Sequence, residues 1–419
     1  MVRTVMLVAT CDHAGLDTAT MGFAHALSSL GVKTCTVAAI GATQPQAEAD
    51  GATVPHLHCL TQQQLQTHYS HGDIDLIIET MLSHIKSLEN AYDVIVLQGV
   101  KRAQARTYAT RINTAIFRAL NAEVVLVAVP PRDSKAFDLT EQLTISARPY
   151  GGQQHPRVLG CLINKVNAPD VTTNLDLGHT QELTLSQKDH KSLLQQCPCH
   201  MIAAIPWHPL LSAPRSHDMA AYLQAKPLFD SDTPPSKRVK SLVLCSHRLD
   251  TMIDTLQADA LAIVDSDRLD VLTALCLNHF ATGVRPSCAG IIIAGSTQAL
   301  SPALLELMQQ AHTQQLPIYT TEQNASQAYL KLHHMPNPIP HDDHERMQIV
   351  CDHVTTHIDT SWLKQWVSSS IETFLTPISF KYQLIEKAKD QLKTIVLPEG
   401  EEPRTIEAAC LVAEKGIAK

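Results

Sequence analysis

The sequence has no apolar run long enough to cross a membrane, since a membrane-spanning helix needs about 18 apolar residues in succession. The apolar start, residues 1–10, is also too short for a secretory signal and is typical of a first β-strand. We therefore expect a chain without a membrane segment, located in the cytoplasm.

The sequence also lacks a cluster of basic residues. Its 33 Lys and Arg residues are outnumbered by 41 Asp and Glu residues, which gives a net charge of -8. Proteins that bind nucleic acid usually carry a basic patch, because contacts to phosphate supply much of their affinity. The composition therefore argues against a nucleic-acid partner.

The paired cysteine spacing of a disulfide framework is missing as well. The 11 cysteines are an odd number, and most lie inside apolar runs such as Leu159–Ile163 and Ser241–Cys245. This usage indicates buried thiols in a reducing cytoplasm. Cys197 and Cys199 flank a single proline, and two such thiols point apart in an extended chain. We therefore predict a loop at this position.

Histidines are frequent, and two of them suggest a metal site. His341 and His344 would share one face of a helix and could bind a metal beside Asp342 or Glu345. The acidic neighbours and Pro340 suit a solvent-exposed helix start equally well. We predict no metal site in this chain. The sequence also has no Gly-x-Ser-x-Gly motif of a hydrolase nucleophile.

Short apolar runs alternate with helical segments, a pattern typical of parallel strands joined by helices. The predicted strands are 4–9, 33–40, 92–98, 123–129, 157–164, 200–206, 241–245, 260–265, 289–294 and 317–320. The predicted helices are 18–30, 73–90, 107–120, 134–147, 214–224, 249–256, 268–281, 301–314 and 344–357. Continuous apolar strands predict sheets that are covered on both faces. Residues 43–71 have weak periodicity and are predicted to be a loop or an irregular helix.

At 419 residues the chain is longer than one hydrophobic core usually serves. A polar segment with two prolines at residues 229–238 is predicted to be a domain linker. This division predicts a first α/β domain at 1–228, a smaller α/β domain at 237–358 and a third unit at 376–419.

The third unit carries the most specific pattern. Residues 380–388 (FKYQLIEKA) are followed by residues 395–405 (IVLPEGEEPRT). This arrangement resembles the opening of the phosphate acetyltransferase and butyryltransferase domain, in which a helix and a strand precede a turn into the next helix. That next helix is expected at Thr405–Lys415.

Segments of the middle domain agree with this resemblance. Residues 266–271 (SDRLDV) and 291–296 (IIIAGS) resemble two loops of the domain named for an Asp-Arg-Thr-Gly-Gly signature, although only one glycine stands where that family usually has two. Residues 342–346 resemble the same family. With a dethiobiotin-synthetase-like first domain, the order resembles the long form of bacterial phosphate acetyltransferases over the whole chain. The resemblance implies a multi-domain α/β fold with a parallel-sheet, P-loop-like first domain.

The first strand and helix enclose residues 8–18 (VATCDHAGLDT), where the relatives carry a phosphate-binding loop ending in Gly-Lys-Thr. Such a loop surrounds phosphates with backbone N–H groups, while the Lys neutralises charge and the hydroxyl holds Mg²⁺. Here Gly15 remains, but Leu16 stands at the Lys position and Asp17 at the hydroxyl position. Gln98 stands where the ATPases place an acidic metal ligand. Because a carboxylate repels phosphate, we predict no Mg-ATP hydrolysis.

Asn164 and Lys165 resemble a segment with which the relatives contact a purine ring. Together with Gly15 and Thr18 they are predicted to form a degenerate site for a nucleotide or a metabolite effector. The alternative is a first domain that is kept for packing and assembly and binds no small molecule. No cofactor is expected.

The resemblance implies a parent enzyme of acetate metabolism that interconverts acetyl-CoA plus phosphate with acetyl phosphate plus CoA. It also implies a homo-oligomer whose two N-terminal domains serve assembly and the response to metabolites. The family builds its substrate pockets from later segments of the transferase domain, so no residue here is predicted to be catalytic and this chain alone is expected to be inactive. The rival functions are an ATP-dependent ligase of the dethiobiotin-synthetase type, disfavoured by Leu16, Asp17 and Gln98, and a purely structural scaffold.

Overall fold

The computed structural model describes most of the chain as two compact units. The described residues are 2–41, 54–101, 105, 108–130, 136–168, 197–230, 235–281, 287–296, 300–335, 337, 339–340, 342–370 and 374–418. One unit comprises residues 1–166, 188–205 and 350–419, and the other comprises residues 167–187 and 206–349. The three-domain division at 228, 237–358 and 376 stays a prediction.

The strands follow the apolar runs of the sequence. In chain order they are β1 (Arg3–Ala9), β2 (Thr34–Gly41), β3 (His56–Thr61), β4 (Val94–Gln98), β5 (Glu123–Ala128), β6 (Val158–Val166), β7 (Met201–Pro206), β8 (Lys226–Pro227), β9 (Ser241–Leu244), β10 (Ala260–Asp265), β11 (Gly290–Ala294) and β12 (Ile318–Thr321).

The helices occupy the amphipathic segments between the strands. In chain order they are α1 (Leu16–Ser29), α2 (Gln62–Ser70), α3 (Ile74–Leu88), α4 (Ala109–Leu120), α5 (Ala136–Ala147), α6 (Pro209–Ser212), α7 (Ser216–Leu223), α8 (Leu249–Thr255), α9 (Leu269–Phe280), α10 (Pro302–Thr313), α11 (Ala325–His333), α12 (His344–His357), α13 (Thr360–Ser368), α14 (Pro377–Asp390) and α15 (Pro403–Glu414). None of these helices has the combination of length and apolarity that spanning a bilayer demands.

The first unit is built on a seven-stranded sheet in the order β3-β2-β4-β1-β5-β6-β7. Neighbouring strands from β3 to β6 pair in parallel. Successive residues of the central strand β4 belong to two different cores, because side chains alternate across a strand. Ile95 and Leu97 pack into one core, and Val94 and Val96 pack into the other. Both faces of the sheet are therefore covered, as the continuous apolar runs predict.

Residues 43–71 contain more regular structure than their periodicity predicts. Residues 42–53 lie outside the described residues, but β3 pairs in parallel with β2 at the edge of the sheet. The α2 helix follows at once and begins with a capping box: the Thr61 hydroxyl accepts a hydrogen bond from the Gln64 backbone N–H, and the Gln64 side chain accepts one from the Thr61 N–H. The prediction of a loop or an irregular helix missed β3, because an edge strand needs only one apolar face and is short.

The second unit is built on a five-stranded sheet in the order β8-β12-β11-β10-β9. The strands β9 to β12 pair in parallel, and the short β8 is antiparallel to β12. The α7 helix packs its buried residues Met219 and Leu223 against this sheet. The α11 helix was not predicted; Asn324 caps it by accepting a hydrogen bond from the Gln327 backbone N–H at 2.8 Å.

The strand expected at residues 395–397 does not form. The segment between α14 and α15 has no regular structure, and Ile395 and Val396 are 58% and 83% exposed. A strand needs a neighbouring strand for its backbone hydrogen bonds, and no described strand lies beside this segment. The two flanking helices form as the resemblance implies.

Candidate functional site

The residues predicted to bind a ligand lie in the loop between β1 and α1, in the first turn of α1 and near the end of β6. Gly15 begins α1 with a left-handed backbone, φ 71° and ψ 44°. A Cβ atom at this position would lie 2.4 Å from the Asn164 Nδ2 atom, so a side chain is excluded on both conformational and steric grounds. The glycine therefore lets the loop approach the end of β6.

Asn164 closes the loop from the end of β6. Its Nδ2 donates a hydrogen bond to the Ala14 carbonyl at 2.9 Å, and its Oδ1 accepts one from the Lys165 N–H at 2.9 Å. Asn164 is 3% exposed, so its amide is already used by the protein backbone. The structure thus brings Gly15, Asn164 and Lys165 close together, with Asn164 engaged within the protein, and ligand binding by these residues stays a prediction.

The other two predicted residues differ in their surroundings. Burial lowers the pKa of the Lys165 ammonium, while the nearby Cys11 thiol opposes that shift. Thr18 lies half-buried in the first turn of α1. Within the described part of the chain no hydrogen bond is recorded for its side chain, so the structure gives Thr18 no role beyond its place in the helix.

Asp17 is held by two side chains from the end of β4. The Lys101 ammonium contacts both carboxylate oxygens, at 2.6 and 2.7 Å, and the Gln98 amide donates a hydrogen bond to Oδ1. The strands β1 and β4 are neighbours, so their carboxyl ends lie side by side. The sequence reasoning identified Asp17 and Gln98 but missed Lys101; a basic residue three positions after an apolar strand was the available signal.

This arrangement replaces the groups of a phosphate cradle with an internal ion pair. Asp17 carries negative charge where a Mg²⁺ ligand would be neutral, and Lys101 is already neutralised by it. Leu16 is 4% exposed and packs in the core instead of facing a ligand. Leu16 carries no charge, and the charge of Lys101 is paired with Asp17, so neither residue offers a phosphate a free cation.

Three cysteines, Cys161, Cys197 and Cys199, meet in the core on one face of the same sheet. The Cys161 and Cys197 sulfurs are 3.3 Å apart, and the three sulfurs of Cys161, Cys197 and Cys199 lie within 4.8 Å of one another. The expectation that the Cys197 and Cys199 thiols point apart was wrong, because the chain bends at Pro198 and Cys199. Cys161 was missed because it lies 36 residues earlier, on the neighbouring strand.

The mutual contact of the three thiols shifts their pKa values in opposite directions. Hydrogen bonds from Cys161 and Cys199 lower the pKa of Cys197. Hydrogen bonds with Cys197 and Cys199, together with burial, raise the pKa of Cys161. The cluster therefore favours one thiolate held by two thiol donors. Of the two histidines predicted to share a helix face, His341 lies outside the described residues.

The two loops of the second unit that resemble the Asp-Arg-Thr-Gly-Gly family meet at one edge of its sheet. Gly295 has φ 94°, and a Cβ there would lie 3.1 Å from the Ser266 hydroxyl. Arg268 donates to Asp270 at 3.0 and 3.1 Å and to the His247 carbonyl at 3.1 Å. These contacts hold the loop after β10 against the loop after β9.

Residues 342–346 take part in an ion-pair network of the second unit, in which Asp343 and Arg346 are buried. Asp343, whose side chain is 1% exposed, accepts hydrogen bonds from Arg238 and from the Arg346 backbone N–H. Arg346 in turn donates to the Leu211 carbonyl at 2.9 Å. Burial raises the pKa of Asp343. The hydrogen bonds from Arg238 and from the Arg346 backbone, together with the charges of Arg238 and Arg215, lower it by more, so the net shift is downward. The segment holds the start of α12 in place.

Sequence profiles of three families match the chain in succession. The AAA domain profile matches residues 3–215, about half of the chain, and the DRTGG domain profile matches residues 218–335. The profile described as Phosphate acetyl/butaryl transferase matches residues 379–419.

Curated relatives are similar over almost the whole chain. The phosphate acetyltransferase of Nitrosomonas europaea is 32% identical over 375 residues, which cover 90% of this chain and 50% of the relative. The phosphate acetyltransferase of Salmonella typhimurium is 29% identical over 437 residues, covering 100% of this chain and 60% of the relative. The chain thus spans between half and 60% of the length of these relatives.

Solved structures show a partial similarity to the chain. The septum site-determining protein MinD of Pyrococcus horikoshii, complexed with Mg-ADP, is 16% identical, with a TM-score of 0.32. The match covers 50% of this chain and 84% of that one.

Proposed function

The chain belongs to the AAA domain family through residues 3–215, and on that premise we propose that it is the N-terminal regulatory and assembly part of a long-form phosphate acetyltransferase. The enzyme it serves would convert acetyl-CoA and phosphate into acetyl phosphate and CoA. The observation that carries this proposal is the succession of AAA, DRTGG and transferase segments in one chain.

The state of the nucleotide loop supports a role without ATP turnover. The Asp17–Lys101 ion pair stands where a P-loop ATPase would hold Mg²⁺ and phosphate, and the residue at the Lys position, Leu16, is buried. Because the Lys101 ammonium is paired with Asp17, it is not available to neutralise the charge that develops in phosphoryl transfer. These features disfavour the ATP-dependent ligase of the dethiobiotin-synthetase type.

The third segment supports the proposal that this chain needs more residues for catalysis. Within residues 374–418, large apolar side chains at Phe374, Leu384, Val396 and Leu411 are 51–83% exposed. Such side chains are normally covered by the remainder of a domain. The chain covers 50% and 60% of the length of two relatives, and we propose that the further residues of such a chain cover these side chains.

The proposed regulation would use one of two candidate sites for an effector. A metabolite effector would bind near Gly15, Asn164 and Lys165, or at the loop edge of the second unit around Ser266 and Gly295. Assembly into a homo-oligomer and a cytoplasmic location complete the proposal; the cysteine usage supports the location. A first domain that only packs and binds no small molecule is the second candidate, supported by the engaged amide of Asn164.

The proposal is tested by assaying acetyl transfer from acetyl-CoA to phosphate. We expect residues 1–419 to release no CoA thiol above a protein-free blank, because the acyl-CoA and phosphate pockets are proposed to come from later residues. A longer chain that completes the transferase domain should release thiol at a rate that depends on phosphate. Phosphate-dependent turnover by residues 1–419, or none by the longer chain, would contradict the proposal.

A further inference from the structure

The three-cysteine cluster, Cys161, Cys197 and Cys199, lies apart from the nucleotide loop and is not used by the proposed function. Cys161 is fully buried on β6, and the other two thiols are half-buried in the segment that enters β7. The remaining cysteines of the described residues form no comparable group of ligand atoms. The cluster therefore calls for an explanation of its own.

The backbone is built to bring these thiols together. Gly160 has no side chain, and a Cβ there would lie 2.1 Å from the His200 carbonyl oxygen. This close approach allows the Cys161 N–H to donate a hydrogen bond to the same carbonyl at 2.8 Å. The residue next to Cys161 thus fixes the position of the segment that carries Cys197 and Cys199.

The cluster is partly shielded from solvent. All three cysteines pack with the core on one face of the first sheet, together with half-buried Met201 and Ile378. Apolar walls strengthen the bond between a thiolate and a metal ion, because water competes less for the ion.

We propose that Cys161, Cys197 and Cys199 bind one thiophilic metal ion of the Zn²⁺ class. Zn²⁺ binds thiolate sulfur at about 2.3 Å, which places the sulfurs of a tetrahedral or trigonal site roughly 3.7–4.0 Å apart. The sulfurs here are separated by 3.3 Å for one pair and by no more than 4.8 Å for the others. Small side-chain rotations would therefore bring all three into bonding distance.

Binding would exchange protons for the metal. The cluster starts as one thiolate and two thiols, and each thiol loses its proton to solvent as its sulfur bonds to the ion, so one Zn²⁺ gives a complex of net charge -1 and two released protons. Three protein ligands leave one position of a tetrahedral ion for water. No electron is transferred in this step.

The site would fasten the entry of β7 to β6. A metal that binds the folded chain only would stabilise it by mass action. We therefore expect Zn²⁺ to raise the melting temperature of the reduced, metal-free protein, in addition to binding at about one ion per chain.

The experiment uses residues 1–419, reduced and freed of metal with a chelator that is then removed. Zn²⁺ is titrated against a chromophoric chelator, thiols are counted with and without Zn²⁺, and Co²⁺ is used as a spectroscopic probe. We expect one ion bound, three thiols protected and a thiolate-to-Co²⁺ charge-transfer band. These three readings use the unaltered protein, so they do not depend on a variant that folds.

Variants locate the site. Cys199→Ser and Cys161→Ser should lose the bound ion, whereas Cys276→Ser, at a buried thiol of the second unit, and Cys410→Ser, at an exposed thiol, should retain it. The proposal is overturned if no ion binds, if the ion persists in both cluster variants, or if the reduced protein forms a Cys161–Cys197 disulfide in air and binds no metal.

Discussion

Asp17 shows how one side chain changes what a fold can do. Its carboxylate and the Lys101 ammonium are 38% and 31% exposed, so their ion pair adds only about 0–1 kcal/mol to stability. Its consequence is chemical, because the pair takes the place of the cation that a phosphate would need. A residue can therefore alter function at this loop with little effect on the fold.

Asp343 represents the opposite case, in which a buried charge contributes to stability. Removing one partner of a buried ion pair typically costs about 3–5 kcal/mol. We expect Asp343→Asn to lower the free energy of unfolding of the second unit by an amount in this range at neutral pH. Chemical denaturation followed by circular dichroism measures the effect.

The pH dependence of that effect follows from the lowered pKa of Asp343. A carboxyl whose pKa is lower in the folded state contributes stability above its unfolded pKa, which is 3.8 for a reference Asp. That contribution is lost as the pH falls from 3.8 through the folded pKa. The difference between the unaltered protein and Asp343→Asn should therefore shrink in this acid range.

Asp342→Asn is the matched control for Asp343→Asn. The Asp342 carboxylate, next to Asp343 in the sequence, pairs with Arg215 at 2.8 Å, but the Asp342 side chain is 71% exposed. An exposed pair contributes about 0–1 kcal/mol, so we expect a small change. Equal losses in both variants, or a loss in Asp343→Asn that does not change with pH, would contradict the account.

Residue contacts were predictable to the extent that strand order was predictable. The proximity of Gly15 and Asn164 follows from the family pattern, in which both stand at the carboxyl ends of strands. Lys101 and Cys161 could not be placed in the same way, because their partners are set by which strands are neighbours. That information resides in the tertiary packing and not in local sequence.

At the scale of elements, the buried strands were predicted closely and the edge elements were not. Ala260–Asp265 forms as predicted, since a fully buried strand is a continuous apolar run. The β3 strand and the α11 helix were missed because each carries a single apolar face over a short length. Burial on one side leaves a weaker pattern in the sequence.

The helices α14 and α15 have no fully buried residues, and polar contacts fasten them to α3. The Glu79 carboxylate forms ion pairs with Lys381 of α14 at 2.6 Å and with Lys415, just after α15, at 3.1 Å. Contacts of this kind near the surface are weak, so residues 378–419 should be the least stable part of the chain.

Limited proteolysis tests this expectation. We expect the first cuts near residues 376–379 or within residues 398–403, leaving a resistant core of about 370 residues. Glu79→Gln should speed these cuts, because it removes the carboxylate that both lysines contact. Glu89→Gln removes the ion-pair partner of Lys86 at the end of α3, and it should leave the rate of these cuts unchanged. Early cleavage at residues 229–238 with an intact tail would contradict this view.

At the scale of the whole molecule, the chain forms two compact units, and its residues 379–419 match the transferase profile. The parallel sheets follow from the alternation of apolar strands and amphipathic helices, whereas the strand order is set by the tertiary packing. The alternation does not reveal whether the nucleotide loop still functions. That property depends on the few residues around Gly15.

The response of the whole chain to Mg-ATP separates the regulatory account from the ATP-dependent one. A ligand that binds the folded state stabilises it by RT ln(1 + [L]/Kd), and this term vanishes when the ligand concentration is far below Kd. The measurement is the melting temperature of residues 1–419 as Mg-ATP is raised to millimolar concentration, with Mg²⁺ alone and sodium sulfate as controls for metal and anion effects.

The account predicts that Mg-ATP leaves the melting temperature where the two controls leave it, because Asp17 and Lys101 neutralise each other and Leu16 is buried. Asn164→Ala should then respond to Mg-ATP no differently from the unaltered chain. A clear Mg-ATP-dependent rise in the unaltered chain that disappears in Asn164→Ala would contradict the central claim and favour an ATP-dependent synthetase.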